Sequence, residues 1–244
     1  MKITILGCYG PYPPAGGACS GYLVSEDGWN ILLDCGNGIL SRLQEYLAFQ
    51  ELNAIILSHL HADHVSDIMI MRYGLELAYN RALRNEPLPL YAPAEPAGEF
   101  ERLSYKNAYK VSGVSEETEL QIGPFTIKFR SGIHAVPALS MRIESPSGVM
   151  VYSGDTEFNS GLAEFSKRAN LLLCEANYLE ADIDAGLPNH LSAAQAAQVA
   201  SEAGVNRLVL THFYPERDPV LSLAEAVIYF PFTELAKERQ EIII

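Results

Sequence analysis

The chain has no apolar run long enough to cross a bilayer, no stretch of clustered lysine and arginine, no low-complexity tract and no CxxC pair. Each absence removes a class of protein. A membrane helix needs about 20 consecutive apolar residues. Binding to long nucleic acid needs a basic face, and here the formal net charge is −13, which makes long DNA or RNA an unfavourable partner. Cys8, Cys19, Cys35 and Cys174 are scattered, so reduced thiols in a cytoplasm are expected, not disulfides or a cysteine metal site. The opening MKITILGCYGP holds one lysine and a short apolar run closed by Gly10 and Pro11. It reads as a first strand and not as a signal peptide.

What is present is a core. With 48% hydrophobic and 19% charged residues over 244 positions, the chain can bury a substantial interior, and one domain spanning 1–244 is expected. KITILGC, GYLVSE, WNILLDC, NAIILSH and LPLYA read as strands in the first half. ELQIG, FTIKFRS, ALSMRIES, GVMVYSG, NLLLCEA and RLVLTH read so in the second. Helices are expected near 38–48, 66–84 (capped by Ser66 or Asp67), 94–104 and 222–229, and after Ser192, where SAAQ fits a capping box and Gly204 a C-terminal stop. This distribution predicts two packed sheets with helices outside.

The chain has six histidines, and three of them fall in SHLHADH, residues 58 to 64. His59 and His61 are two apart and can project to one side of an extended segment, with Asp63 and His64 turning to a neighbouring point. Imidazole nitrogen with carboxylate oxygen suits zinc, and also manganese or iron. Three further donors each follow a predicted strand: His134, Asp155 in SGDT, and His212 in THFYP.

H-x-H-x-D-H after an apolar strand, followed by single His, Asp and His residues at later strand ends, resembles the metallo-β-lactamase superfamily over nearly the whole chain. The resemblance implies an α+β fold, a four-layer αββα sandwich. It also implies a two-metal site, with one ion on His59, His61 and His134, the other on Asp63, His64 and His212, and Asp155 between them. Two such ions clamp an in-line displacement and lower the pKa of a shared water, with Asp63 orienting it. LLDCG at 32 to 36 is similar to the family's first motif, whose aspartate, here Asp34, supports the metal loop.

The segment around His190, PNHLSAAQAAQVASEAGVNRLVLTH, resembles the ribonuclease Z branch, in which a histidine before the helix acts near the scissile phosphate. That implies a proton donor at His190, with Glu175 as a possible supporting partner. Only 21 positions separate His134 from Asp155, which leaves no room for that branch's tRNA-gripping arm. The expected activity is hydrolysis of a small phosphodiester. The alternatives are a lactonase or thioesterase on the same metals, a tRNA 3′-processing endonuclease, and a metal-holding module without turnover. Tyr9, Tyr12, Tyr73, Tyr79 and Tyr214 are candidates for stacking on a base or sugar. Residues 8 to 21 are a candidate lip of the pocket, and surplus apolar residues on the helix at 66–84 a candidate homodimer contact.

Overall fold

A computed structural model describes residues 1–244. Two seven-stranded sheets carry the chain. The first comprises β1 (Lys2–Gly7), β2 (Gly21–Glu26), β3 (Trp29–Leu33), β4 (Ala54–Ile56), β5 (Leu88–Ala92) and β6 (Tyr109–Gly113), and the C-terminal β14 (Glu241–Ile243) pairs with β1. The second runs from β7 (Glu119–Ile122) through β8 (Phe125–Ser131), β9 (Leu139–Ser145), β10 (Gly148–Tyr152), β11 (Leu171–Glu175) and β12 (Leu208–Thr211) to β13 (Thr233–Leu235). Both follow one plan. Antiparallel strands come first, then three parallel steps: β3–β4–β5–β6 and β10–β11–β12–β13.

Alternation explains how the layers close. Ile3 and Ile5 of β1, Tyr22 and Val24 of β2, and Ile31 and Leu33 of β3 face Ile127, Phe129, Met141 and Ile143 of the second sheet in one apolar core. The opposite face of the first sheet, with Leu6, Leu23, Leu32 and Ile55, is covered by α1 (Ile39–Leu43), α3 (Ile68–Asn80) and α4 (Ala97–Leu103). On the second sheet, Ala193, Ala196, Ala197 and Ala200 of α7 (Ala193–Ala203) lie in the same core as Leu172 and Val209. Small side chains bring that helix close to the strands. α2 (Ala62–Val65), α5 (Ser160–Phe165), α6 (Glu180–Asp184) and α8 (Pro219–Tyr229) complete the layers. The αββα sandwich is therefore as expected.

The capping box is present: Ser192 Oγ accepts from Gln195 N and Gln195 Oε1 from Ser192 N, and Gly204 closes the helix at φ 61°. Helix bounds differ elsewhere. The expected 66–84 helix is α2 followed by α3, and Ser66 ends the first instead of capping the second. Asp67 stands before α3 but turns its carboxylate to Leu40 N, 2.8 Å away, in the first turn of α1. The helix expected at 38–48 stops at Leu43, and α8 starts at Pro219 because the Asp218 side chain accepts from Val220 N. The edge strand β6 has no counterpart in the sequence reading; YKVSG is short and half exposed.

At one end of the sandwich the sheets are joined by a carboxylate. Glu26, ending β2, accepts from Ser145 Oγ at 2.5 Å and Ser147 Oγ at 2.8 Å, with the N-terminal ammonium at 3.3 Å. Burial pushes its pKa up, but those donors outweigh it and hold the carboxyl below its ordinary 4.5. A lowered folded-state pKa stabilises the fold above the unfolded value, and the effect fades as pH falls through the folded one. Glu26→Gln is expected to cost about 1–2 kcal/mol at pH 7 in urea denaturation, and much less at about pH 3. An equal cost at both values would show that the charge is not the source.

Candidate metal centre

All six histidines form one closed ring. Centroid separations are 4.7 Å for His61–His59, 4.1 Å for His59–His64, 5.2 Å for His64–His212, 5.3 Å for His212–His190, 5.3 Å for His190–His134 and 4.9 Å for His134–His61. Strand ends place five of them, and His190 precedes α7. SHLHADH leaves β4, His134 follows β8, and His212 follows β12. Asp155 follows β10, and its Oδ2 lies 3.7 Å from His59 Nε2, 3.4 Å from His64 Nε2 and 3.3 Å from His212 Nε2.

The ring nitrogens divide into two groups. His59 Nε2 and His134 Nε2 each lie 3.1 Å from His61 Nδ1. In the second group His212 Nε2 is 3.2 Å from Asp63 Oδ2 and 3.3 Å from His64 Nε2. Both sets are compact enough for each to hold an ion, with Asp155 in the second set and also facing the first.

Backbone and side-chain acceptors orient the rings. His59 Nδ1 donates to Ser58 Oγ at 3.0 Å, and that hydroxyl donates to Asp34 Oδ2 at 2.8 Å. His64 Nδ1 donates to the same Oδ2 at 2.7 Å, and His134 Nδ1 to Asn189 O at 2.8 Å. These bonds turn the Nε2 atoms of His59, His64 and His134 inward, the outer-shell arrangement that fixes metal-binding imidazoles. Asp34 also accepts from Ser58 N and Tyr152 OH, each at 2.7 Å. Glycines let the chain approach. A Cβ on Gly36 would lie 1.9 Å from Asp63 O, and one on Gly10 would lie 1.9 Å from His212 Nε2.

The donor set fits divalent ions. His59 and His134 have each committed a ring hydrogen elsewhere, so two bare nitrogens converge on His61 Nδ1, which has at most one hydrogen to share. Asp155 Oδ1 is buried and has no hydrogen-bond partner. A buried carboxylate oxygen left so is costly, and a cation satisfies it. Burial pushes the His59 pKa well down. At His64 burial works in the same direction, but Asp155, Asp63 and Asp34 override it and hold its pKa well above the ordinary value.

His190 lies outside both groups, and with Glu175 and His212 it forms a third compact set of donors. Its Nδ1 is 3.0 Å and 3.2 Å from the two oxygens of Glu175, whose Oε1 also accepts from Thr156 N at 2.6 Å. Burial lowers the pKa of His190, but the Glu175 carboxylate raises it further, to about 9. Glu175 is fully buried, unlike the solvated strand-end glutamate that its position in sequence suggests.

The structure brings every expected metal-binding residue, with His190, Asp34 and Glu175, into this cluster. Sequence reading missed Ser58, Tyr152 and Asn189, which act through histidines or Asp34. It also missed Asn177, whose Nδ2 donates to Gly10 O and His212 O at 3.0 Å each. Only Ser58 carried a signal, by adjoining the histidine motif. The lip does border the site: Pro11 shares a cavity with His190 and Tyr214. Tyr73 packs on Tyr105, away from the ring.

A protein with this sandwich and this donor set at its strand ends belongs to a recognisable class. A family model described as "Beta-lactamase superfamily domain" matches residues 29–213, and the chain belongs to that superfamily. Among relatives, the "Probable metallo-hydrolase YhfI" of Bacillus subtilis (strain 168) is 37% identical over 212 residues, 87% of this chain and 86% of the relative. The crystal structure of YhfI, a "metallo-beta-lactamase fold protein", matches with a TM-score of 0.94 at 34% identity, covering 99% of this chain and 98% of that one. A "Ribonuclease Z" of Mycolicibacterium gilvum (strain PYR-GCK) is 28% identical over 257 residues, 90% of this chain and 86% of the relative.

Asp34→Asn keeps the shape but removes an acceptor from the His59 and His64 supports. Zinc affinity, read by competition with a chelator, is expected to fall roughly 10- to 100-fold with circular dichroism unchanged. Wild-type affinity in a folded variant would show that Asp34 does not set the ligand geometry.

Proposed function

We propose that this protein is a dinuclear metal-dependent hydrolase acting on small phosphodiesters. The observation that carries the reading is His190, which is held by a buried carboxylate beside the metal-ligand ring and belongs to neither ligand group. His59, His61 and His134 would hold one ion, Asp63, His64 and His212 would hold the other, and Asp155 faces both sets. Nitrogen and oxygen donors in these numbers suit zinc first, with manganese or iron as alternatives. Bound there, the ions supply charge neutralisation at the phosphate and acidify water.

The chain's own groups do the rest. Asp63, 9% exposed at its side chain, orients the attacking water and takes its proton. His190 donates a proton to the departing ester oxygen, and Glu175 holds the imidazole in position and stabilises its charged form. Thr156 N fixes Glu175 in turn. The ribonuclease Z relative supports phosphate as the reacting group. Four buried, unpaired cysteines support a reducing compartment such as the cytoplasm, and no helix is long and apolar enough to cross a membrane.

Elemental analysis of protein purified without chelator and reconstituted with zinc is expected to give two ions per chain. Fewer than one would overturn the ligand assignment. His190→Ala is expected to keep its metal while kcat falls about 100-fold or more; loss of an ion would make His190 a ligand instead.

Substrate size follows from charge. Small diesters such as bis-p-nitrophenyl phosphate or a cyclic nucleotide are expected to be hydrolysed, and precursor tRNA poorly, because a surface of net charge −13 repels a long polyanion. A lactone run beside them separates carbonyl from phosphoryl chemistry. Efficient removal of a tRNA 3′ trailer with inert small diesters would reverse the size assignment.

A further inference from the structure

Two cavities adjoin the histidine ring, and they differ in chemistry. One, about 670 Å³, opens beside His61 and is walled by Leu60, Val65, Met69, Ile70, Pro96 and Val136. Its only charged lining residues, Glu99 and Arg102, neutralise each other at 2.7 Å. The other, about 400 Å³, opens beside His190 and is lined by Asn177, Tyr178, Leu187, Tyr214 and the Asp182–Arg217 pair, 2.6 Å apart. The two share no lining residue. Tyr178 stands edge-on to His190 with centroids 5.3 Å apart, and the Arg217 guanidinium lies 5.8 Å from the centre of the Tyr214 ring.

From this asymmetry we infer that the substrate is a diester with two unlike arms: an apolar alcohol seated beside His61 and a polar, hydrogen-bonding alcohol seated beside His190. The inference rests on the phosphodiesterase reading and adds to it the substrate class and the bond that breaks. Both volumes lie in the range of small-ligand sites. The apolar cavity is walled mostly by hydrocarbon, and its Glu99 and Arg102 are paired with each other, so a polar arm there would lose hydration with little replacement. The second cavity offers the aromatic faces of Tyr178 and Tyr214 and the Asp182–Arg217 pair, which presents both a carboxylate and a guanidinium edge and suits a sugar or nucleoside.

The position of His190 then sets the regiochemistry. The oxygen of water forms the new bond to phosphorus, and the bond to the ester oxygen on the His190 side breaks. That oxygen takes its proton from the imidazole, and the proton lost by water restores it. The products are the phosphate monoester of the apolar alcohol and the free polar alcohol.

Methyl, butyl and octyl p-nitrophenyl phosphates, assayed with the zinc-reconstituted full chain, test the apolar seat. kcat/KM is expected to rise by up to about fourfold per methylene until the cavity fills. In Met69→Lys and Ile70→Lys the octyl-to-methyl ratio is expected to fall towards one. A flat series in the wild-type protein, with all members hydrolysed, would overturn the inference and leave the phosphodiesterase reading standing. The octyl diester of thymidine 5′-phosphate tests the direction of cleavage, since both its leaving groups are aliphatic alcohols. Octyl phosphate and thymidine are expected; octanol and thymidine 5′-phosphate would overturn the assignment. Should no diester turn over, the phosphodiesterase reading fails, and calorimetric titration with methyl, butyl and octyl phosphate still decides the seat. Affinity increasing with chain length supports it, and equal affinities overturn it.

Discussion

Four hydrogen bonds to one buried carboxylate organise this molecule. Asp34 has no exposed surface and leaves β3 at φ 56°, a conformation that costs a non-glycine residue energy. A charge buried there is tolerable only if its lone pairs are filled. Ser58 N, Ser58 Oγ, His64 Nδ1 and Tyr152 OH fill them. Ser58 follows β4 in the first sheet, whereas Tyr152 ends β10 in the second, so meeting the needs of one carboxylate draws both sheets and the histidine loop to one point. Leu139 N donating to Ser58 O at 2.9 Å ties the same loop to β9. The metal-ligand geometry is therefore a consequence of how the sheets meet, and not an addition to a finished scaffold.

Three of the eight non-glycine residues with left-handed backbone serve this site. Asp34, Asn189 and His212 are non-glycine residues with left-handed backbone, at φ 56°, 78° and 57°, and all three belong to the ring or its supports. Each turns a chain leaving a regular element so that a side chain or carbonyl faces inward. At His212 the compensation is visible: Asn177 holds its carbonyl while Gly10 gives its ring room. His190 is positioned by different means, through a carboxylate that accepts from its ring instead of through backbone torsion.

The sequence announced the ligands more clearly than their supports. SHLHADH concentrates donors within one loop, and His134, Asp155 and His212 each follow an apolar run, so both pattern and chemistry were legible. Asp34 was legible only through the LLDCG likeness, because an aspartate at a strand end reads equally well as a turn residue. Asn177, Asn189 and Tyr152 were not legible, since their role lies in contacts with residues far along the chain. The same separation explains the fold. Strands with strong apolar alternation were placed within a residue or two, whereas the helix boundary at Ser66 was missed because Asp67 caps a helix 27 residues earlier. The shared plan of the two sheets was hidden for a further reason: it is a repeat of pairing direction, not of residues.

For a chain of net charge −13, the proposed work on a phosphate would require positive charge that is local. Its cations are largely committed elsewhere: Lys2 to Glu241, Arg207 to Glu234, Arg217 to Asp182 and Arg239 to Glu45. Arg42, buried between Leu6 O and Gly16 O, is spent on holding the lip against α1 with Glu238. Even the basic cleft of Lys128, Arg130, Arg142 and Lys167 contains Glu164 and lies beside Glu144. Acids in excess of these pairs dominate the field at a distance, which screening cuts off within about 10 Å at ordinary ionic strength. Inside that range the histidine ring and whatever cations it holds decide the interaction. A substrate small enough to fit wholly within the two adjoining cavities meets the inner field, while a long polyanion must lie in both. On the proposed activity, selectivity for size would follow from where the charge sits, without any residue dedicated to excluding large substrates.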